Sequence, residues 1–265
     1  MPITVCANLH YKVSQSCDIL LQIEAAQDAT QRCLQETLTI SPDLGSRQIE
    51  GEDGIGIRRW LVASQNFRCQ YQATFEINRP AKRIEDLRAD PVSQTPGPVT
   101  KYLMPSRYCH PEAFISVLAD NFAALSGGAL VTAISHWIND SFTYDISAST
   151  GVTTATQSLA ARAGVCRDYA HVLIAMVRSA GIPARYVSAY APDVRPQDFH
   201  ALVEVYLNGA WHLIDPTAMA DPSEVIRIGV GRDAADASFL TSYGYVSLES
   251  QSVEVLRNDI AMPAL

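Results

Sequence analysis

Apolar and polar residues alternate through most of the first third of the chain. Thr4–Tyr11, Asp18–Ile23, Ile57–Val62 and Cys69–Ile77 each carry the two-residue period of a half-buried strand. Gly45, Gly51, Gly54 and Gly56 punctuate them. Successive strands with no helix between them predict an antiparallel β-sandwich over residues 1–90. Pro91, Pro96, Gly97, Pro98 and Pro105 then give residues 91–105 the composition of a linker. From 106 to 265 the period changes. Pro111–Leu125 and Ala129–Asn139 read as helices, with Pro111 in a first turn and Gly127-Gly128 as the break between them. A short helix over Thr156–Ala163 is expected to stop at Gly164. Ala170, Leu173, Ile174 and Val177 recur at helical spacing and predict a helix from Cys166 to Ala180, ended by Gly181 and Pro183. Strands follow at Ala184–Tyr190, Phe199–Leu207 and Ala210–Asp215, and again around Tyr245–Leu256. Helices followed by antiparallel strands make this second domain α+β. No internal repeat is visible.

One turn fixes a register. Asn208-Gly209 is a strong two-residue hairpin signal. It pairs Leu207 with Ala210, Glu204 with Leu213, Leu202 with Asp215 and His200 with Thr217. Side chains alternate, so His200 and Asp215 share a face as diagonal neighbours, roughly 7–8 Å apart at the backbone. His212 falls on the opposite face.

Composition narrows the classes. The 265 residues are 48% hydrophobic, enough for the core of one or two domains. A formal charge of −8 disfavours nucleic acid and anionic membranes as partners and leaves cationic peptides open. No apolar run reaches the ~18–20 residues of a membrane span. The start, Met1-Pro2-Ile3-Thr4-Val5, has neither a basic segment nor a signal-peptide core, so a cytoplasmic protein is expected. Six cysteines at irregular spacing, with no CxxC pair, do not read as a disulfide framework; Cys6, Cys17, Cys33, Cys69 and Cys109 read as small buried hydrophobes. The glycines near Gly54 are not a phosphate loop, because no Lys-Ser/Thr and no helix follow. No cofactor is expected, and the oligomeric state leaves no mark on the sequence.

Cys166 stands apart by its setting. It lies where a loop turns into a helix, and free N–H groups and the helix dipole stabilise a thiolate there. His200 could take its proton, Asp215 could orient the imidazole, and the Cys166 backbone N–H could hold an oxyanion. Gly164-Val165-Cys166-Arg167-Asp168-Tyr169-Ala170-His171, Gly181-Ile182-Pro183-Ala184-Arg185-Tyr186-Val187, His200-Ala201 and Trp211-His212-Leu213-Ile214-Asp215-Pro216-Thr217 together resemble the bacterial transglutaminase-like cysteine peptidase family. Tyr102–Tyr108 looks like that family's interdomain segment and Gly231–Asp236 like its late loop, and residues 1–90 look like its N-terminal β domain. The resemblance implies a papain-like core with Cys166 as nucleophile, His200 as base and Asp215 as orienter. It also implies a peptide or protein substrate. Members often carry a tryptophan where this chain has Leu202, which places Leu202 as a candidate wall of the substrate pocket.

Other readings compete at several positions. Asp215 precedes Pro216-Thr217 and could form an Asx turn. Asp168 could cap its helix or contact a substrate amine. Tyr144 could give a second oxyanion donor or line the cleft, whereas Trp137 suits a core. Cys166, His171, His200 and Asp215 have metal-ligand chemistry but no common zinc spacing, and His171 points away around the helix. Arg232 and Asp233 could form an ion pair closing a loop. Amide or isopeptide hydrolysis, amine transfer by a transglutaminase, and a non-catalytic interaction protein with a relic triad are the three functions to separate.

Overall fold

In the computed structural model, which describes residues 1–80 and 82–258, the N-terminal alternation forms β1 (Pro2–Val13), β2 (Cys17–Leu21), β3 (Gln31–Ser41), β4 (Arg47–Glu50), β5 (Ile57–Ala63) and β6 (Phe67–Ile77). Odd-numbered residues of β1, from Ile3 to Tyr11, point inward with Ile19 and Leu21 of β2 and Cys69, Tyr71, Ala73 and Phe75 of β6. Strands β3 and β4 have no counterpart among the expected elements. A bulge between Cys33 and Gln35 breaks the period of β3, and most of its side chains face solvent.

The proline-rich segment is packed rather than free. It contains the short helix α1 (Gly97–Thr100), and Tyr102 is wholly buried, its hydroxyl donating to Asp53 at 2.6 Å. Pro111–Phe114 forms a 3₁₀ turn before α2 (Ile115–Phe122), and α3 spans Gly127–Ser141. Gly127 and Gly128 therefore begin a helix instead of separating two. Their bare backbone lets residues 84–89 approach: a β-carbon on Gly128 would lie 1.6 Å from the Ile84 carbonyl oxygen. Two-residue strands β7 (Thr143–Tyr144) and β8 (Ala163–Gly164) flank α4 (Ala155–Ala161). Helix α4 ends at Arg162, in the left-handed conformation, and not at Gly164.

Helix α5 (Cys166–Ser179) packs on a four-stranded antiparallel sheet of β9 (Ala184–Tyr190), β10 (His200–Leu207), β11 (Ala210–Ile214) and β12 (Ile226–Gly231), in the order β11-β10-β9-β12. Ala201, Val203, Val205 and Leu207 join Ala170, Leu173, Ile174 and Val177 in that core. The architecture is α+β.

The last two strands correct the boundary drawn at 106–265. β13 (Leu240–Ser242) pairs with β2, and β14 (Val246–Arg257) pairs with β1, giving sandwich sheets β14-β1-β6-β3 and β13-β2-β5-β4. The chain thus returns to its first domain, because Val253 and Val255 find their apolar partners in the sandwich core. Residues 259–265 of the expected second domain lie outside the described residues. A charged network joins the two cores: buried Glu204 accepts from Arg185 and Arg227, which also pair with Asp53 and Asp28. No single helix among the described residues is long and apolar enough to cross a membrane.

Candidate functional site

Cys166 is the first residue of α5 and half-buried. Asp168, one turn in, accepts from the Val165 N–H at 2.9 Å. That bond closes the helix start, and only glycine fits beside it: a β-carbon on Gly164 would sit 2.7 Å from the Asp168 β-carbon. Asp168 has no exposed surface. Its place as a substrate contact is therefore corrected to that of a helix cap.

Asn208 and Gly209 both have positive φ, 50° and 73°, as the two-residue hairpin turn requires. The register runs as expected from Leu207–Ala210 to Val203–Ile214. His200 and Asp215 lie beyond its last paired rung. There His200 Nε2 is 2.9 Å from Asp215 Oδ2, both side chains being shielded from solvent. The imidazole's other nitrogen, Nδ1, is buried and makes no hydrogen bond, and the Cys166 thiol is close enough to the ring to raise its pKa. Burial resists a charge on this ring. The hydrogen bonds and negative charge of Asp215 and Cys166 outweigh it and hold the His200 pKa up at about 10. An imidazolium facing the sulfur is thus favoured at neutral pH.

Asp215 serves two purposes. Oδ1 accepts from the Thr217 N–H at 2.8 Å and its hydroxyl at 2.7 Å, the Asx turn weighed for this position; Oδ2 accepts from Ala220 N–H at 2.8 Å besides His200. Burial pushes its carboxyl up, but these donors and the His200 charge leave it below the ordinary range. His212 points elsewhere, bonding the Leu207 carbonyl at 3.0 Å.

Tyr144 reaches the thiol through its pairing with Gly164 in the parallel β7–β8 ladder. Burial and the nearby Cys166 sulfur push its pKa well up, and its hydroxyl lies against the Cys166 thiol and backbone N–H. Leu202, in contrast, is fully buried among Val187, Leu213, Val225 and Val230. It packs the sheet and is no cleft wall. His171 is buried too, stacked on Tyr108 with ring centroids 4.9 Å apart, and its Nε2 accepts from Ala234 N–H. Burial holds this imidazole neutral. Trp137 is half-buried, with the Arg162 guanidinium 4.2 Å above its ring. Arg232 pairs with Asp236 and not with Asp233, whose carboxylate is buried and accepts from Tyr108 and Ala235 N–H groups. Among the described residues, no three His, Cys, Asp or Glu side chains converge to hold a metal.

The supporting shell was not apparent from the motifs. Strand β14 grips the loop before His200: the Gln197 amide makes paired hydrogen bonds with the Val255 N–H (2.5 Å) and carbonyl (3.1 Å), and Gln251 bonds Asp198. Arg257 ties Asp193 of that loop to Glu224, which lies beyond Asp215. Arg178, deep in α5, donates to the carbonyls of Ala184, Met104 and Arg232 and to the Ser106 hydroxyl. A cavity of about 370 Å³ opens beside Asp215, lined by His136, Asn139 and Asp140, and one of about 520 Å³ lies on the sandwich beside Trp60. Neither is lined by Cys166 or His200.

Residues 118–216 match the model of the transglutaminase-like superfamily. An uncharacterised protein of Mycobacterium leprae is 35% identical over 118 residues, which cover 41% of this chain and 42% of that protein. One of Mycobacterium bovis is 30% identical over 130 residues, covering 43% and 41%. The matches thus span about two fifths of the length of these curated relatives. The crystal structure of a candidate cysteine protease from Cytophaga hutchinsonii superposes with a TM-score of 0.90 at 29% identity, covering 98% of this chain and 92% of that one.

Proposed function

We propose that the chain, whose residues 118–216 match the transglutaminase-like superfamily, is a cysteine-dependent acyl-transfer enzyme. It cleaves an amide or isopeptide bond of a peptide or protein through a thioester on Cys166. The observation that supports this reading is the position of His200, with one ring nitrogen on Asp215 and the ring against the Cys166 thiol. The cysteine-protease description of the Cytophaga hutchinsonii protein agrees with it.

In this reading His200 already holds the thiol's proton as an imidazolium, and the thiolate attacks the carbonyl carbon. The Cys166 N–H and the Tyr144 hydroxyl hold the oxyanion, which requires the hydroxyl to turn from the resting sulfur toward the substrate oxygen. His200 then protonates the leaving amine, and water releases the acid from the thioester. Asp215 keeps the imidazole oriented throughout. All six cysteines are free, which suits the reducing cytoplasm as the working compartment.

Capture of the acyl-enzyme from a peptide library, read by mass spectrometry, tests the reading. An adduct on Cys166 that is absent in Cys166→Ala and decays in water is the expected result. Decay mainly by transfer to a labelled amine would make the protein a transglutaminase. Failure of iodoacetamide to label Cys166 faster than half-buried Cys6 at pH 7 would overturn the activated nucleophile and leave an interaction protein. Cys109 is unsuitable for that comparison, because complete burial pushes its thiol up to about 12.

A further inference from the structure

Two residues before His200 stands a carboxylate that the mechanism does not use. Asp198 accepts from the Phe199 N–H at 2.7 Å and from the Gln251 amide, both through Oδ1. Among the described residues nothing bonds Oδ2, and no Lys or Arg pairs with the group. Its surroundings are rigid. Phe199 stacks on Phe239, with ring centroids 4.8 Å apart and 2° between planes, and also packs against Tyr190 at 5.3 Å. The Gln251 tether comes from β14. Asp198 stands two residues before the His200 ring that neighbours Cys166, and its charge is among those that push the Tyr144 hydroxyl's pKa up. Arg195, three residues earlier in the same loop, is committed to the carbonyls of Pro192 and Val194.

We infer that Asp198 is a specificity determinant that favours substrates carrying an ammonium or guanidinium group next to the scissile bond. The inference rests on the acyl-transfer reading of Cys166 and deepens it. An unpaired carboxylate beside a nucleophile attracts a cation into the cleft and repels an anion, and the chain's charge of −8 adds to that field. Oδ1 is occupied in holding the loop, so Oδ2 is the atom that meets the substrate. A lysine or arginine side chain, or an α-amine, supplies the matching donors.

Charged thiol reagents test this without a known substrate. Rates of Cys166 modification by methyl, 2-(trimethylammonio)ethyl and 2-sulfonatoethyl methanethiosulfonate are measured at pH 7 and low ionic strength by peptide mass spectrometry. The cationic-to-anionic rate ratio at Cys166 should exceed that at Cys6. In Asp198→Asn, which keeps an oxygen acceptor for Phe199 and Gln251, the ratio should fall about tenfold while the neutral reagent reacts at an unchanged rate. Asp198→Glu should preserve it. An equal ratio in wild type and Asp198→Asn overturns the inference. So does an equal loss with all three reagents, which would make Asp198 a positioning residue only. Slow reaction of Cys166 with the neutral reagent would instead count against the acyl-transfer reading, and the charge ratio would remain readable.

Discussion

His200 Nε2 and Asp215 Oδ2 stand 2.9 Å apart in the interior, held by a carboxylate that also receives three donors from Thr217 and Ala220. The loop after β11 is folded around the same side chain that orients the imidazole. Asp215→Asn keeps one acceptor oxygen and turns an amide toward the Ala220 N–H or the imidazole. Turnover, or iodoacetamide reaction at Cys166, should fall about 10²–10⁴-fold. The misplaced donor should also cost about 1–3 kcal/mol of stability. Paired measurements of alkylation rate and urea midpoint check this, and a variant with wild-type alkylation would remove Asp215 from the machinery.

The pH dependence follows from the same pair. In the unfolded chain His200 titrates near 6.5, and in the folded protein at about 10. The stability it contributes is therefore complete below about 6.5 and is lost as the pH rises through about 10. Asp215 behaves oppositely: its pKa is depressed, so its contribution is present above the ordinary carboxylate range and disappears as the pH falls. The difference in unfolding free energy between wild type and His200→Gln should accordingly shrink from pH 6 to pH 10. A difference that grows over that interval would contradict the charged pair.

Gln197 closes its hydrogen bonds on Val255 of β14, while Arg257 spans Asp193 and Glu224. Gln197→Ala should lower Cys166 alkylation by up to about a hundredfold through loosening of His200. It should increase amide exchange in residues 191–199 and leave the overall melting temperature nearly unchanged. Arg257→Ala, which removes exposed ion pairs, should cost less than about 1 kcal/mol. Unchanged loop exchange in Gln197→Ala would show that the strand bears no load for the site.

Arg178 satisfies three carbonyls from separate parts of the chain, that of Ala184 fully buried and those of Met104 and Arg232 partly so. Arg178→Ala strands them and should cost more than about 3 kcal/mol, or prevent folding. Arg178→Lys offers fewer donors and a different shape, so it should recover only part of that loss. Chemical denaturation of both variants orders them, and an alanine variant as stable as the lysine one would refute the staple.

Much of the second half of the chain was legible because its signals are local. Asn208-Gly209 fixed the hairpin register, and the spacing of Ala170, Leu173, Ile174 and Val177 marked α5. The failures have physical causes. Gly229 lies within β12, where a β-carbon would come within 2.1 Å of the Gln22 amide nitrogen, so close approach of the two domains displaced the usual strand residues. β3 is bulged and largely solvated, which removes the period that announces a strand. Leu202 was assigned by position in a motif, yet it lies on β10 where its side chain packs into the interior. The alternation of β14 was readable, but strand pairing across more than 200 residues leaves no local mark. Its contact with the loop before His200 was therefore invisible.

The antiparallel pairing of β1 with β14, from Ile3–Arg257 to Val13–Val246, makes the beginning of the described chain a neighbour of its end. During synthesis β1 is made long before β14, which emerges only after the whole α5–β12 core. Until then one edge of β1 stands open to strands of other chains. Order of emergence thus sets a window of vulnerability to self-association, and ribosome pausing within residues 207–245 would lengthen it. The same neighbourhood makes the fold a natural subject for circular permutation: a chain opened at the exposed 208–209 turn, with β14 linked directly to β1, would carry these two strands as one continuous hairpin.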